Sequence, residues 1–117
     1  MTIIDNVSDI SFPDQDVLGM TIDRIAVSVN ISVTGGWLDG LLNPGNLVLR
    51  NWKTAHQRRY DCNLNQWFDI SVGEEEVFKD IAEFTVDNDL AILRGFGRMS
   101  GEWLELIVAG GQAEYRM

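Results

Sequence analysis

The chain has 117 residues, of which 45% are hydrophobic, enough for one domain with a single core and no disulfide or metal staple. Nine basic residues stand against 18 acidic ones, a formal charge of -9, which excludes the surplus of Lys and Arg that nonspecific nucleic-acid and anionic-membrane binding require. The single cysteine, Cys62, excludes an internal disulfide and a multi-cysteine metal site and suits a reducing compartment.

Residues 1–16 carry Asp5, Asp9, Asp14 and Asp16 and the turn signal Phe12-Pro13-Asp14, and they read as an irregular acidic lead-in to a single β domain spanning 1–117. The N-terminus has neither a basic stretch nor the apolar run of a signal sequence, and no run reaches the length of a membrane span, so the expected location is the cytoplasm. From Val17 an alternation begins with Leu18, Met20 and Ile22 on one face. It changes parity at Asp23-Arg24 and continues as Ile25, Val27, Val29, Ile31 and Val33. A parity flip over two polar residues predicts a turn or a bulge, and the second run predicts a strand with one solvated face.

Gly35-Gly36 is expected to end that strand, Asn43-Pro44-Gly45-Asn46 to form a turn, and Leu47 to Trp52 to resume as a strand. Between Trp52 and Trp67 lies the most polar stretch and the one basic one, with Lys53, His56, Arg58 and Arg59; it reads as a long loop or two frayed edge strands. Three glutamates at Glu74-Glu75-Glu76, with Val77 one turn before Ile81, predict one or two helical turns over 74–80. Asp87-Asn88-Asp89 is the turn of a hairpin, and the runs Leu90 to Phe96 and Trp103 to Ala109, apolar at both parities, predict strands buried on both faces. Phe84, Ile92, Leu104 and Leu106 are expected to be buried together.

The sum is a mainly β fold, an antiparallel β-sandwich or partly open barrel of roughly eight strands with one short helix. Phe12 to Asp14, the strands around Asp23-Arg24, Leu47 to Leu49, and the closing Gly101-Glu-Trp-Leu-Glu-Leu together resemble small bacterial single-domain β proteins. Some of those are described as immunity proteins of contact-dependent or polymorphic toxin systems. The resemblance implies a toxin-blocking role and no catalytic residue.

Two clusters are candidates for function. Glu74, Glu75, Glu76 and Asp80 head an acidic segment from Asp69 to Asp89 in which Lys79 is the one base, and such a field steers a basic protein partner. Alternatively, Trp37, Trp52, Arg58, Arg59, Tyr60 and Trp67 are suited to line a small-molecule pocket, with Arg forks for a phosphate or carboxylate over an aromatic floor. Opposite charge on the basic and acidic segments, and strand edges that need cover, suggest a two-fold homodimer.

Catalysis finds less support. A Cys-His mechanism at His56 and Cys62 needs hydrogen-bond reach that a six-residue spacing in a polar stretch does not provide. No calcium-loop spacing occurs, and Gly95 to Gly101 opens no helix to cradle a phosphate. No metal and no cofactor are expected. The sequence thus points to a non-catalytic intracellular protein-binding module, of the immunity type that the resemblance implies, with a small-molecule-binding β domain as the alternative.

Overall fold

A computed structural model describes residues 3–4, 15–38 and 41–117, with side chains placed except at Ile4 and at 36–38 and 41–43. Eleven strands follow one another: β1 (Ile3–Ile4), β2 (Gln15–Asp23), β3 (Ser28–Leu38), β4 (Leu41–Arg50), β5 (Thr54–Asp61), β6 (Gln66–Asp69), β7 (Asp80–Ile81), β8 (Glu83–Asp87), β9 (Leu90–Phe96), β10 (Trp103–Ala109) and β11 (Gln112–Arg116). They form two antiparallel sheets, ordered β1-β11-β4-β3-β2-β7 and β6-β5-β10-β9-β8, in a β-sandwich-like fold. No helix is present among the described residues, and so none that could cross a membrane.

The inner faces follow from side-chain alternation. Val29, Ile31, Val33, Leu47, Leu49 and Tyr115 of the first sheet meet Ala91, Leu93, Leu104, Leu106 and Val108 of the second, all buried. Burial pushes the Tyr115 phenol up to about 12. The chain crosses between sheets at Asn51-Trp52-Lys53, where Asn51 has φ 57°, and returns at Gly110-Gly111, where Gly110 has φ 81°. A hydrogen bond from Lys53 N to Ala109 O (2.8 Å) holds the two crossings together.

The opposite side of the sandwich is closed by one segment that belongs to both sheets. Asp80 and Ile81 pair with Asp16 and Gln15 of β2, while Lys79 N donates to Phe96 O (2.7 Å), Ala82 N to Arg94 O (2.9 Å), and Phe78 bridges Gly97. Gly95 is required at this seam, since a Cβ there would lie 2.1 Å from Asp80 O.

Several expectations are corrected. Residues 74–80 form no helix: the buried side-chain amide of Gln57 accepts from Glu76 N (2.7 Å) and donates to Glu76 O (2.8 Å). The peptide groups there therefore serve β5 instead of a helical neighbour. The polar stretch 53–66 is a hairpin, with β5 inside the sheet and β6 at its edge.

The turn predicted at 43–46 is part of β4, and Pro44 falls where the β3–β4 register shifts between Val33 and Gly36, the kind of irregularity that tolerates a residue without an N–H. The strand predicted from Ile25 begins at Ser28, because the Asp23 carboxylate accepts from Ile25 N (3.0 Å) and Ala26 N (2.9 Å) and makes a turn of 24–27. Ile3–Ile4 pair with β11 and Gln15–Asp16 open β2, so only residues 5–14 of the irregular lead-in lie outside the described residues, with residues 1–2. Finally, the apolar core lies against one face only of β9 and β10: Leu104, Leu106 and Leu93 are inside with half-buried Phe84 packed on them, while Ile92 stands on the outer face.

Candidate binding face on the second sheet

The outer face of the second sheet is built by residues of one parity from five strands, and cross-strand register arranges them in rows. One row is charged. Asp69 of β6 stands opposite Arg58 of β5, Arg58 opposite Glu105 of β10, Glu105 opposite Arg94 of β9, and Arg94 opposite Glu83 of β8. The signs alternate across the whole sheet. Glu105 accepts from Arg58 Nε (2.6 Å) and Arg94 Nε (2.7 Å), and Arg94 Nη1 reaches Glu83 (3.0 Å). Asp69 lies 2.8 Å from His56 Nε2.

Glu105 is only 1% exposed although no strand among the described residues packs over this sheet face; the arginine arms and its row neighbours shield it. Burial alone raises the Glu105 carboxyl, but the Arg94 and Arg58 bonds and charges outweigh it and hold the group below the usual carboxylate range. The bonds to Glu105 and Glu83 in turn raise Arg94.

The next row, two residues along each strand, is aromatic: Trp67, Tyr60, Trp103 and Phe96 stand side by side on β6, β5, β10 and β9. Tyr60 and Trp67 rings lie 5.3 Å apart at 58°, and Phe96 and Trp103 rings 5.1 Å apart at 70°. The Arg58 guanidinium sits 4.3 Å over the Trp67 ring and so ties the two rows together. Phe96 remains 46% exposed and Trp67 36%, and the adjoining turns add Met99 at 87% and Leu64 at 60%. On the other side of the charged row stand half-buried Ile107 and Ile92 and exposed Leu90.

The two sequence-predicted clusters fare differently. Of the acidic set, Glu74 is exposed, whereas Glu75 pairs with Arg24 and accepts from Gly73 N (2.7 Å). Burial raises the Glu75 carboxyl, and the Arg24 bond with two backbone donors brings it below its ordinary value. Glu76 accepts from Met99 N and Ser100 N (2.5 Å each) and from Ser100 Oγ (2.7 Å), and so anchors the β9–β10 turn. Asp80 accepts from Phe96 N (3.1 Å). Three of these four acids are therefore engaged in holding the chain.

Of the second cluster, Arg58, Tyr60 and Trp67 come together on the outer face. Arg59 has the other parity and pairs with Glu102 (3.1 Å) above Phe68 (4.9 Å). Trp52 is core, 7% exposed, with Arg24 5.8 Å over its ring, and the Trp37 side chain lies outside the described residues. A dent of about 180 Å³ is lined by Arg59, Tyr60, Asp61, Cys62, Asn63 and Glu102, below the ~300 Å³ at which small-molecule sites begin.

Sequence reasoning missed Trp103, Phe96, Arg94, Glu105 and Met99, and it met Glu83 only as one acid of the segment from Asp69 to Asp89. Their signal was the single charges, Arg94 and Glu105, inside runs otherwise apolar at both parities. Cys62 is exposed on the β5–β6 turn, and among the described residues no three His, Cys, Asp or Glu side chains gather to hold a metal ion.

No protein-family model, no curated protein and no solved structure matches the chain.

Proposed function

We propose that this chain is a non-catalytic binding domain that docks a protein partner on the outer face of its second sheet. The observation that carries the reading is the row Trp67, Tyr60, Trp103 and Phe96, extended by exposed Leu64 and Met99 and set beside arginines whose charges are already matched. Aromatic residues, Met and Arg are the types enriched where proteins meet. The ring tilts of 58° and 70° break the plane that a row of flat sugar rings or bases would stack upon, which favours a protein with side chains to insert. The net charge of -9 favours a basic partner through faster encounter. An immunity-type inhibitor acting on a basic toxin in the cytoplasm is one protein of this description.

Affinity capture with the wild-type chain, with Phe96→Ser/Met99→Ser, and with Glu74→Lys tests the reading. A partner held by the wild type and Glu74→Lys but lost by the double variant is the expected result. A partner lost by Glu74→Lys and kept by the double variant would move recognition to the acidic segment and overturn the proposal.

A further inference from the structure

The charged row ends in an acid at the open edge of the sheet, and the backbone beside that acid faces outward. β6 is the terminal strand of the order β6-β5-β10-β9-β8. Ile70 N donates to Gln57 O (2.9 Å), and the pairs Phe68↔Arg59 and Gln66↔Asp61 follow it in the same register. In an antiparallel ladder these alternate pairs exchange the hydrogen bonds, so the N–H and C=O groups of the residues between them point away from β5. Those residues are Trp67 and Asp69. Their side chains stand on the outer face, with Asp69 80% exposed and Trp67 36%.

Edge strands are ordinarily blunted by Lys, by Pro or by cover from another segment. β6, with the sequence Gln66-Trp67-Phe68-Asp69, has neither Lys nor Pro. At the other edge, β8 carries Glu83 and Asp87, and the chain just before it is drawn off to β2. Both edges end the charged row in an acid, and β6 is only four residues long, so what distinguishes β6 is that the aromatic row ends there too, on Trp67.

We propose that β6 is a strand-addition edge: an extended protein segment with Lys or Arg two residues from an aromatic pairs with the outward backbone groups of Trp67 and Asp69 and adds a sixth strand. Its cation falls beside Asp69 and continues the alternation Glu83, Arg94, Glu105, Arg58, Asp69 by one more member. Its aromatic falls beside Trp67 and continues the row Phe96, Trp103, Tyr60, Trp67. Main-chain bonds supply affinity in such a mode and alternate side chains supply specificity. A second copy of this chain is a poor occupant, since β6 brings no cation of its own to Asp69 and each copy carries -9. The inference rests on the protein-binding reading above and says how the partner is held.

The probe is a blocked seven-residue peptide of Thr and Val carrying Lys and, two positions on, Tyr, followed by amide hydrogen exchange in NMR. The amides of Trp67 and Asp69 should slow by on the order of tenfold at saturation, while those of Phe68 and Ile70, already bonded to β5, should not change. Asp69→Lys should weaken the peptide about tenfold and Asp69→Asn by less. N-methylation of the peptide at the residues facing β6 should abolish binding, and at the intervening residues should not.

A peptide that leaves the Trp67 and Asp69 amides unprotected overturns strand addition. If that peptide instead shifts the Phe96 and Trp103 resonances, the face reading survives alone. Protection at β6 combined with partner capture that is indifferent to Phe96→Ser/Met99→Ser would sink the face reading and leave strand addition standing.

Discussion

The outer faces of the two sheets are built on the same alternation and differ in chemistry. On the first sheet the outward rows are Asp23, Ser28, Arg50 and Gln112, then Thr21, Asn30, Val48 and Glu114, then Gly19, Ser32, Asn46 and Arg116. Apart from Gly19 and the buried Val48 they are polar or charged residues with no aromatic, close to the composition of a solvated surface. On the second sheet the corresponding positions hold Trp67, Tyr60, Trp103 and Phe96 beside a five-member charge row. Both faces contain a carboxylate that is nearly inaccessible, Glu114 at 4% and Glu105 at 1%. Glu114 is held by Arg116 from its own strand (2.5 Å) and by Arg50 at 3.5 Å, whereas Glu105 is clamped by arginines from both neighbouring strands. A sandwich needs only its inner faces to be apolar, so the aromatic content of one outer face is not required by the inner packing, and it is the feature on which the proposed binding role rests.

The largest effects should ignore that difference. Leu104→Ala in the second sheet and Ile31→Ala in the first are both at fully buried sites, and each should cost about 2 to 5 kcal/mol in urea unfolding. A loss under about 0.5 kcal/mol at either would show that its inner register is wrong.

The buried carboxylates should separate the faces. Arg58→Met with Arg94→Met leaves Glu105 without a cation and should cost about 3 to 5 kcal/mol. Arg50→Met, whose side chain is 45% exposed and which leaves Glu114 its Arg116 bond, should cost no more than about 1 kcal/mol. Equal costs would mean that the charge row is an ordinary surface network.

Titration sharpens the same contrast. Because the folded Glu105 carboxyl lies below its unfolded value of about 4.3, the unfolded state binds more protons in the window between them. The stability it contributes is present above that unfolded value and is lost as pH falls through the folded one. Glu105→Gln should therefore flatten the acid limb of the stability curve, in unfolding measured from pH 5 downward. Tyr115 acts at the other end: its folded value of about 12 exceeds the unfolded value of about 10. Its contribution is complete below about 10 and declines as pH rises toward 12, a decline that Tyr115→Phe should remove.

The smallest effects should be at the surface itself. Ser32→Ala and Phe96→Ser should each change stability by no more than about 0.5 kcal/mol, yet only Phe96→Ser should alter partner capture. A Phe96→Ser protein that unfolds markedly more easily would show that the aromatic row supports the fold.

The sequence alone determined the β class and the inner faces of the clearest strands, because an alternation such as Val29, Ile31, Val33 allows only one side to be buried. It also grouped Arg58, Tyr60 and Trp67, with Trp37, Trp52 and Arg59, because the basic stretch lies between tryptophans, but that Arg58, Tyr60 and Trp67 share one sheet face is a matter of cross-strand register. It did not determine that 74–80 would be extended, because local helix preference lost to the distant Gln57 amide that takes up both Glu76 backbone groups. Nor did it reveal that apolar residues at both parities of β9 and β10 meant one core face and one exposed aromatic face, since burial depends on whether a second layer lies above the strand. The two rows are a product of register: Asp69, Arg58, Glu105, Arg94 and Glu83 are spread over the 48 positions from 58 to 105, and only pairing four strand interfaces side by side puts their charges in sequence.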